Sequence, residues 1–226
     1  MKGRLGGWTA GGLVAVVVAV FASCGSGESQ AAKQSAHWAS VLKRGCSGHT
    51  ALVEAPAQID GATLRLLTAC TVQIDGGSLS LTDVTATVGT LAIVLGPKAS
   101  LAIRDSTLTG SSPDATVTVT SSGNGQNIEL VGDHVALGRG ILIEVGMGSG
   151  ATTGVQNLSV TGSHISTDQP RSLGIQFLVR GPATFDHDMF RASGPGSSVI
   201  IESMTPGSCT ISHVSGYRAT ACEKLP

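Results

Sequence analysis

The sequence predicts an all-β protein built as a stack of similar coils, and three observations carry that reading. First, six nine-residue segments align without gaps: LSLTDVTAT from Leu79, LAIRDSTLT from Leu101, IELVGDHVA from Ile128, LSVTGSHIS from Leu158, ATFDHDMFR from Ala183 and CTISHVSGY from Cys209. Second, further period-2 runs follow them: LAIVL from Leu91, VTV from Val117, ILIEV from Ile141, IQFLV from Ile175 and VIIES from Val199. Third, the 226 residues include 31 Gly but only 3% aromatic and 13% charged residues, a make-up suited to short strands and tight turns.

The six segments start 22, 27, 30, 25 and 26 residues apart. Each opens with two alternating apolar positions, followed by a turn pair: Thr82-Asp83, Arg104-Asp105, Val131-Gly132, Thr161-Gly162, Asp186-His187 and Ser212-His213. Strand, tight turn, strand, loop, strand is a unit that cannot bury its apolar face alone but can do so by stacking. The unequal spacing places the length differences in loops.

Taken in order, the chain opens with an address. Lys2 and Arg4 precede an apolar run over residues 13–21, shorter than the roughly 20 residues a spanning helix needs and proportioned like a signal-peptide core. The following Phe21-Ala22-Ser23-Cys24 resembles the lipobox of bacterial lipoproteins. The resemblance implies a signal peptide over 1–23, a diacylglyceryl thioether on the Cys24 sulfur, and export with lipid anchoring to the cell membrane, facing outside the cytoplasm. The alternative is ordinary secretory cleavage after Ala22, which leaves Cys24 without an obvious partner.

Residues 24–34 read as a flexible tether, being small and polar without periodicity. Residues 35–45 place Trp38, Val41 and Leu42 at helical spacing, a short helix placed to cap the N-terminal sheet edge of a β domain over 46–226. Four further cysteines remain: Cys46, Cys70, Cys209 and Cys222. An even number in an exported chain points to two disulfides with three possible connectivities. Their positions near opposite ends make Cys46–Cys70 and Cys209–Cys222 the economical pairing, the second closing the C-terminal end.

The repeat resembles the right-handed parallel β-helix of the pectin-lyase-like superfold. That superfold's alternating aliphatics followed by Gly-Asn-x-Ile appear as Gly132-Asp133-His134-Val135 and Gly162-Ser163-His164-Ile165. The resemblance covers about residues 64–217 and implies a right-handed parallel β-helix of about six coils. Asp, Ser or Val stands where the superfold carries its inward ladder of Asn. A shared fold leaves the activity open.

Stacking turns equivalent positions into columns about 4.8 Å apart. The outward column of the first strand reads Ser80, Ala102, Glu129, Ser159, Thr184 and Thr210, without the several carboxylates that the resemblance would imply for a calcium-dependent polysaccharide lyase. Asp186-His187-Asp188 is the dense acid–base cluster, a candidate for general acid–base work, though its members occupy turn and ladder slots. His134 and His164 become outward neighbours in the column after the turn and are candidate metal ligands, short of the three or four that zinc requires. Phe177, Phe185 and Phe190 fall on inward parity, so an aromatic sugar platform is poorly supported. Residues 146–154 are Gly-rich but read as an inter-coil loop.

The second run is apolar outward as well as inward: Val94, Leu142, Leu178 and Ile200 join Ala92 and Met204 there. A sheet apolar on both faces is normally covered, so these four form a candidate face for self-association or a protein partner, unless the N-terminal helix or the loop near Ser111 covers it. Lys+Arg number 14 against 15 Asp+Glu, and no basic stretch supports nucleic-acid binding. No cofactor is implied. The expected function is a non-catalytic envelope binding or scaffold module, anchored to the membrane by lipid. The alternative is a polysaccharide-active enzyme or a module binding envelope glycan.

Overall fold

The computed structural model describes residues 29–121, 125–146, 157–168, 174–193, 197–205, 208–220 and 222–224. Residues 1–23, expected to be a signal peptide, Cys24 and residues 147–156, which include most of the Gly-rich stretch, lie outside them. Three parallel sheets wind around one core. The first runs from Thr50–Val53 to Arg218–Thr220, the second from Ala57–Asp60 to Glu223–Lys224, and the third from Thr63–Leu66 to Met189–Ala192. The sheets hold eight, eight and six strands, so the chain forms a parallel β-solenoid of six complete three-strand turns followed by partial ones.

The stack begins one coil earlier than the sequence repeat indicates. Ala57 pairs with Leu79, Ile59 with Leu81 and Asp60 with Thr82, so residues 57–66 repeat the pattern ahead of the first aligned segment. At the other end the segment from Cys209 contributes only a single bridge, Met189 to Ser215, to the third sheet. The last coil is therefore incomplete.

The turn pair recurs for a backbone reason. Its second residue is left-handed in every coil: Asp83 (φ 50°), Asp105 (50°), Gly132 (65°), Gly162 (63°), His187 (56°) and His213 (53°). Glycine enters this region freely, and Asp and His are among the side chains that tolerate it. The corner swings the chain from the second sheet into the third.

Inside the corner runs a ladder of small polar side chains. The Val84 N–H donates to Ser106 Oγ (3.0 Å), the Ser106 N–H to Asp133 Oδ1 (2.9 Å), the Asp133 N–H to Ser163 Oγ (3.3 Å) and the Ser163 N–H to Asp188 Oδ1 (2.8 Å). Ser and Asp thus supply the acceptors of the ladder. All four are buried, and each satisfies a backbone N–H that the tight corner removes from the sheet ladders.

The remaining interior is mainly aliphatic, with Ser121, Gln126, Thr167 and Ser203 also buried, and is aromatic in the sixth turn. There Phe177, Phe185 and Phe190, one from each sheet, meet with ring centroids 5.0, 5.3 and 6.3 Å apart. Each is at most 3% exposed, as inward parity predicts, so none offers a sugar platform.

The helix runs Gln30–Ser47, longer at both ends than the expected 35–45. Residues 30–34, read as tether, are helical because Ser29 accepts from the Ala32 N–H (3.2 Å) as N-cap and Gln-Ala-Ala-Lys-Gln are strong helix formers. The face turned to the core is Ser35, Ala39, Leu42 and Cys46, with Trp38 and Val41 half-buried beside it. Ser35 accepts from the Asp60 N–H (2.8 Å) and donates to its carbonyl (3.1 Å), satisfying the open edge of the second sheet. An uncovered edge would invite pairing with another chain. Cys46 and Cys70 are disulfide-bonded with Cα atoms 4.9 Å apart, as are Cys209 and Cys222 at 4.6 Å. The second bond holds the closing segment, whose strands Arg218–Thr220 and Glu223–Lys224 extend the first and second sheets. Among the described residues no helix is long and apolar enough to cross a membrane.

Candidate functional site at one corner of the solenoid

Asp186, His187 and Asp188 do not converge. Asp188 is a ladder residue, 2% exposed, whereas Asp186 and His187 face outward from the corner. Burial pushes the Asp188 carboxyl up to about 7, against the lowering effect of backbone N–H donors. Its Oδ2 lies buried without a hydrogen-bond partner among the described residues. Asp133, in the same ladder, is raised by burial to about 6. The inward Asp188 carboxyl does not converge with the two outward groups; the three residues occupy the ladder and turn slots that the repeat assigns them.

The surface pair gains a partner from the next coil. His213 occupies the same left-handed slot as His187, and the two rings stack with centroids 4.4 Å apart and planes inclined by 24°. Both Nδ1 atoms face one carboxylate oxygen, Asp186 Oδ1, at 2.9 Å from His187 and 3.4 Å from His213. Ser212 Oγ lies 2.7 Å from His213 Nδ1. The hydrogen bond from His187, followed by those from Ser212 and His213, holds the Asp186 carboxyl below the usual carboxylate range. Potential ligand atoms of Asp186, His187 and His213 all lie within 4.8 Å of one another. His213 was missed in the sequence, although the turn-slot column Gly162, His187, His213 places it beside His187.

His134 and His164 are register partners on adjacent strands, as expected. Their rings meet edge-to-face at 5.0 Å, but no third His, Cys, Asp or Glu among the described residues joins them. Met189 follows in the column and is exposed. On the outer face of the second sheet, Glu129 is engaged bidentately by Arg104, with Nη2 to Oε2 at 2.6 Å and Nε to Oε1 at 3.2 Å.

The apolar face is less continuous than its sequence suggests. Val94, Leu142, Leu178 and Ile200 are all half-exposed on the outside of the first sheet, yet the register divides them between two columns. One reads Val94, Thr120, Glu144, Leu178, Glu202, and the other Ala92, Thr118, Leu142, Gln176, Ile200. Polar side chains therefore interrupt the aliphatics in each column. A shallow depression of about 350 Å³ lies around Leu142, Thr118, Gln176 and Arg139. The helix packs at the N-terminal end, against the first turn and its neighbour Cys70–Ile74.

Comparison with protein-family models, with curated proteins and with solved structures returns no match.

Proposed function

We propose that this chain is an exported, lipid-anchored cell-envelope protein whose solenoid, resembling the pectin-lyase-like superfold, acts as a non-catalytic binding or scaffold module. The observation that carries the proposal is the placement of the disulfides. Cys46–Cys70 and Cys209–Cys222 pin the two ends of the stack, and such bonds persist in oxidising compartments rather than in a reducing cytoplasm. Lipidation at Cys24 would then tether the capped end of the rod to the membrane through the few residues before Ser29. Two features support a binding role over polysaccharide cleavage. Asp188 is withdrawn into the ladder, and both carboxylate oxygens of Glu129 are engaged by Arg104.

Fractionation of the full-length wild type and Cys24→Ala, with intact mass measured under non-reducing conditions, tests the localisation. The expected result is a membrane-bound wild type with two disulfides and a lipid-sized mass increment, and a released variant. A variant that stays on the membrane, or a wild type with four free thiols, overturns it. Incubation of the wild type with envelope polysaccharides tests the module. Retention without release of reducing or unsaturated sugar ends fits binding, and release of such ends establishes the enzyme instead.

A further inference from the structure

We propose that Asp186, His187 and His213 form a binding site for a single divalent transition-metal ion of the zinc–copper class. The argument starts from the donor set. Two imidazoles and one carboxylate suit borderline ions, and this combination leaves coordination positions open for water or an exogenous ligand. The spacing fits as well: a metal at about 2.0–2.2 Å from each donor holds cis donors roughly 3–3.5 Å apart, and Asp186 Oδ1 lies 2.9 and 3.4 Å from the two Nδ1 atoms.

The charge is also appropriate. One carboxylate supplies a single negative charge at the site, and two imidazoles bind as neutral ligands. On binding through Nδ1, each neutral imidazole carries its single ring proton on Nε2, exchanged through solvent, so that Nδ1 offers its lone pair; the coordinate bonds form with no net proton release and no change of oxidation state.

The fold holds the set in position. His187 and His213 are consecutive members of one corner column, each fixed in the left-handed region at φ 56° and 53°. Asp186 pairs in register with Ser212, so the carboxylate and the second imidazole come from adjacent rungs of a rigid sheet. The stacked rings must turn about their side-chain torsions to bring both in-plane Nδ1 lone pairs onto one ion, while the backbone of the corner stays in place.

The test is a calorimetric titration of Zn²⁺ into chelator-treated, dialysed full chain at about pH 7.5, where imidazole is mostly neutral, combined with imidazole ¹⁵N NMR. The variants are His187→Gly and His213→Gly, because glycine occupies the same corner slot in the two preceding coils and removes the ring without straining the backbone. The control is His134→Thr with His164→Thr, since Thr fills that column at Thr85 and Thr107. We expect saturable uptake of one ion per chain, weakened at least about tenfold by either glycine variant and unchanged by the control pair. Only His187 and His213 nitrogens should shift in the wild type. The absence of saturable uptake below millimolar Zn²⁺, uptake unaffected by both glycine substitutions, or shifts confined to His134 and His164 would each overturn the proposal. The NMR result on the wild type decides the matter if a variant fails to fold.

Discussion

Ser106 and Asp133, 27 residues apart, are joined by a hydrogen bond from the Ser106 N–H to Asp133 Oδ1 at 2.9 Å, inside the corner where the chain leaves the second sheet. The bond is one rung of a ladder from Val84 to Asp188 that meets the backbone's hydrogen-bonding demand with short side chains. It also commits two carboxyl groups to the interior.

That commitment makes stability depend on pH. Asp133 and Asp188 hold their protons to about 6 and about 7, against 3.8 in the ordinary case. Between those limits the folded state binds more protons than the unfolded one. Their favourable contribution is therefore complete below about pH 4 and is lost as pH rises through 6 and 7. Asp186 has the opposite sign, and its contribution is lost only as pH falls through the acid range below 3.8. Melting curves from pH 4 to pH 8 should show a falling Tm for wild type and a flatter profile for Asp133→Asn with Asp188→Asn. An equal slope in that double variant would show that these carboxyls do not carry the effect.

The ladder's outer neighbours define the register. Val160 and Ile165 are fully buried while Ser159 is half-exposed. Ile165→Ala should cost about 2–5 kcal/mol through lost burial and the cavity left behind. Val160→Ala should cost somewhat less, and Ser159→Ala should fall within about 0.5 kcal/mol of wild type. Chemical denaturation of the three variants provides the comparison.

The corner slot itself predicts a graded response. An added Cβ at Gly162 meets nothing within 4 Å, so Gly162→Ala measures the left-handed conformation alone, about 1–2 kcal/mol. Gly132→Ala should cost more, because its Cβ would stand 2.7 Å from Asp105 Oδ1. Gly162→Asp should cost less than Gly162→Ala, since Asp83 and Asp105 already occupy this slot. Thermal melts that reverse this order would contradict the corner geometry.

On the outer face of the first sheet, charge context should separate two otherwise similar leucines. Leu178 lies between Glu144 and Glu202, whereas Leu142 lies between Thr118 and Gln176. Leu178→Glu stacks three like charges and should destabilise the fold more than Leu142→Glu, with the gap narrowing in high salt. Leu178→Lys should recover the loss. Any self-association through this face should weaken in both Glu variants, and analytical ultracentrifugation beside the melts separates the two effects.

Much of the architecture was legible because a solenoid is nearly one-dimensional. Alternation in LSLTDVTAT and its five relatives names the inward residues, and the fixed spacing within the unit makes His134 and His164 neighbours without reference to the rest of the chain. The first coil, AQIDGATLR from Ala57, repeats the same unit and extends the stack by one turn. The disulfide pairing followed from position along the chain, since stacking keeps near residues near. The candidate site needed the tertiary structure as well. The repeat put Asp186 and His187 in turn slots and Asp188 in the ladder slot, and the corner sends their side chains to opposite sides of the wall. Strand register aligns the runs at Leu91, Ile141, Ile175 and Val199, so Val94 and Leu178 fall in one column and Leu142 and Ile200 in another, with polar residues between them. The partner of His187 came from 26 residues downstream: the coils place His213 over it, and only the rotamers chosen in three dimensions turn both imidazoles onto the same carboxylate oxygen.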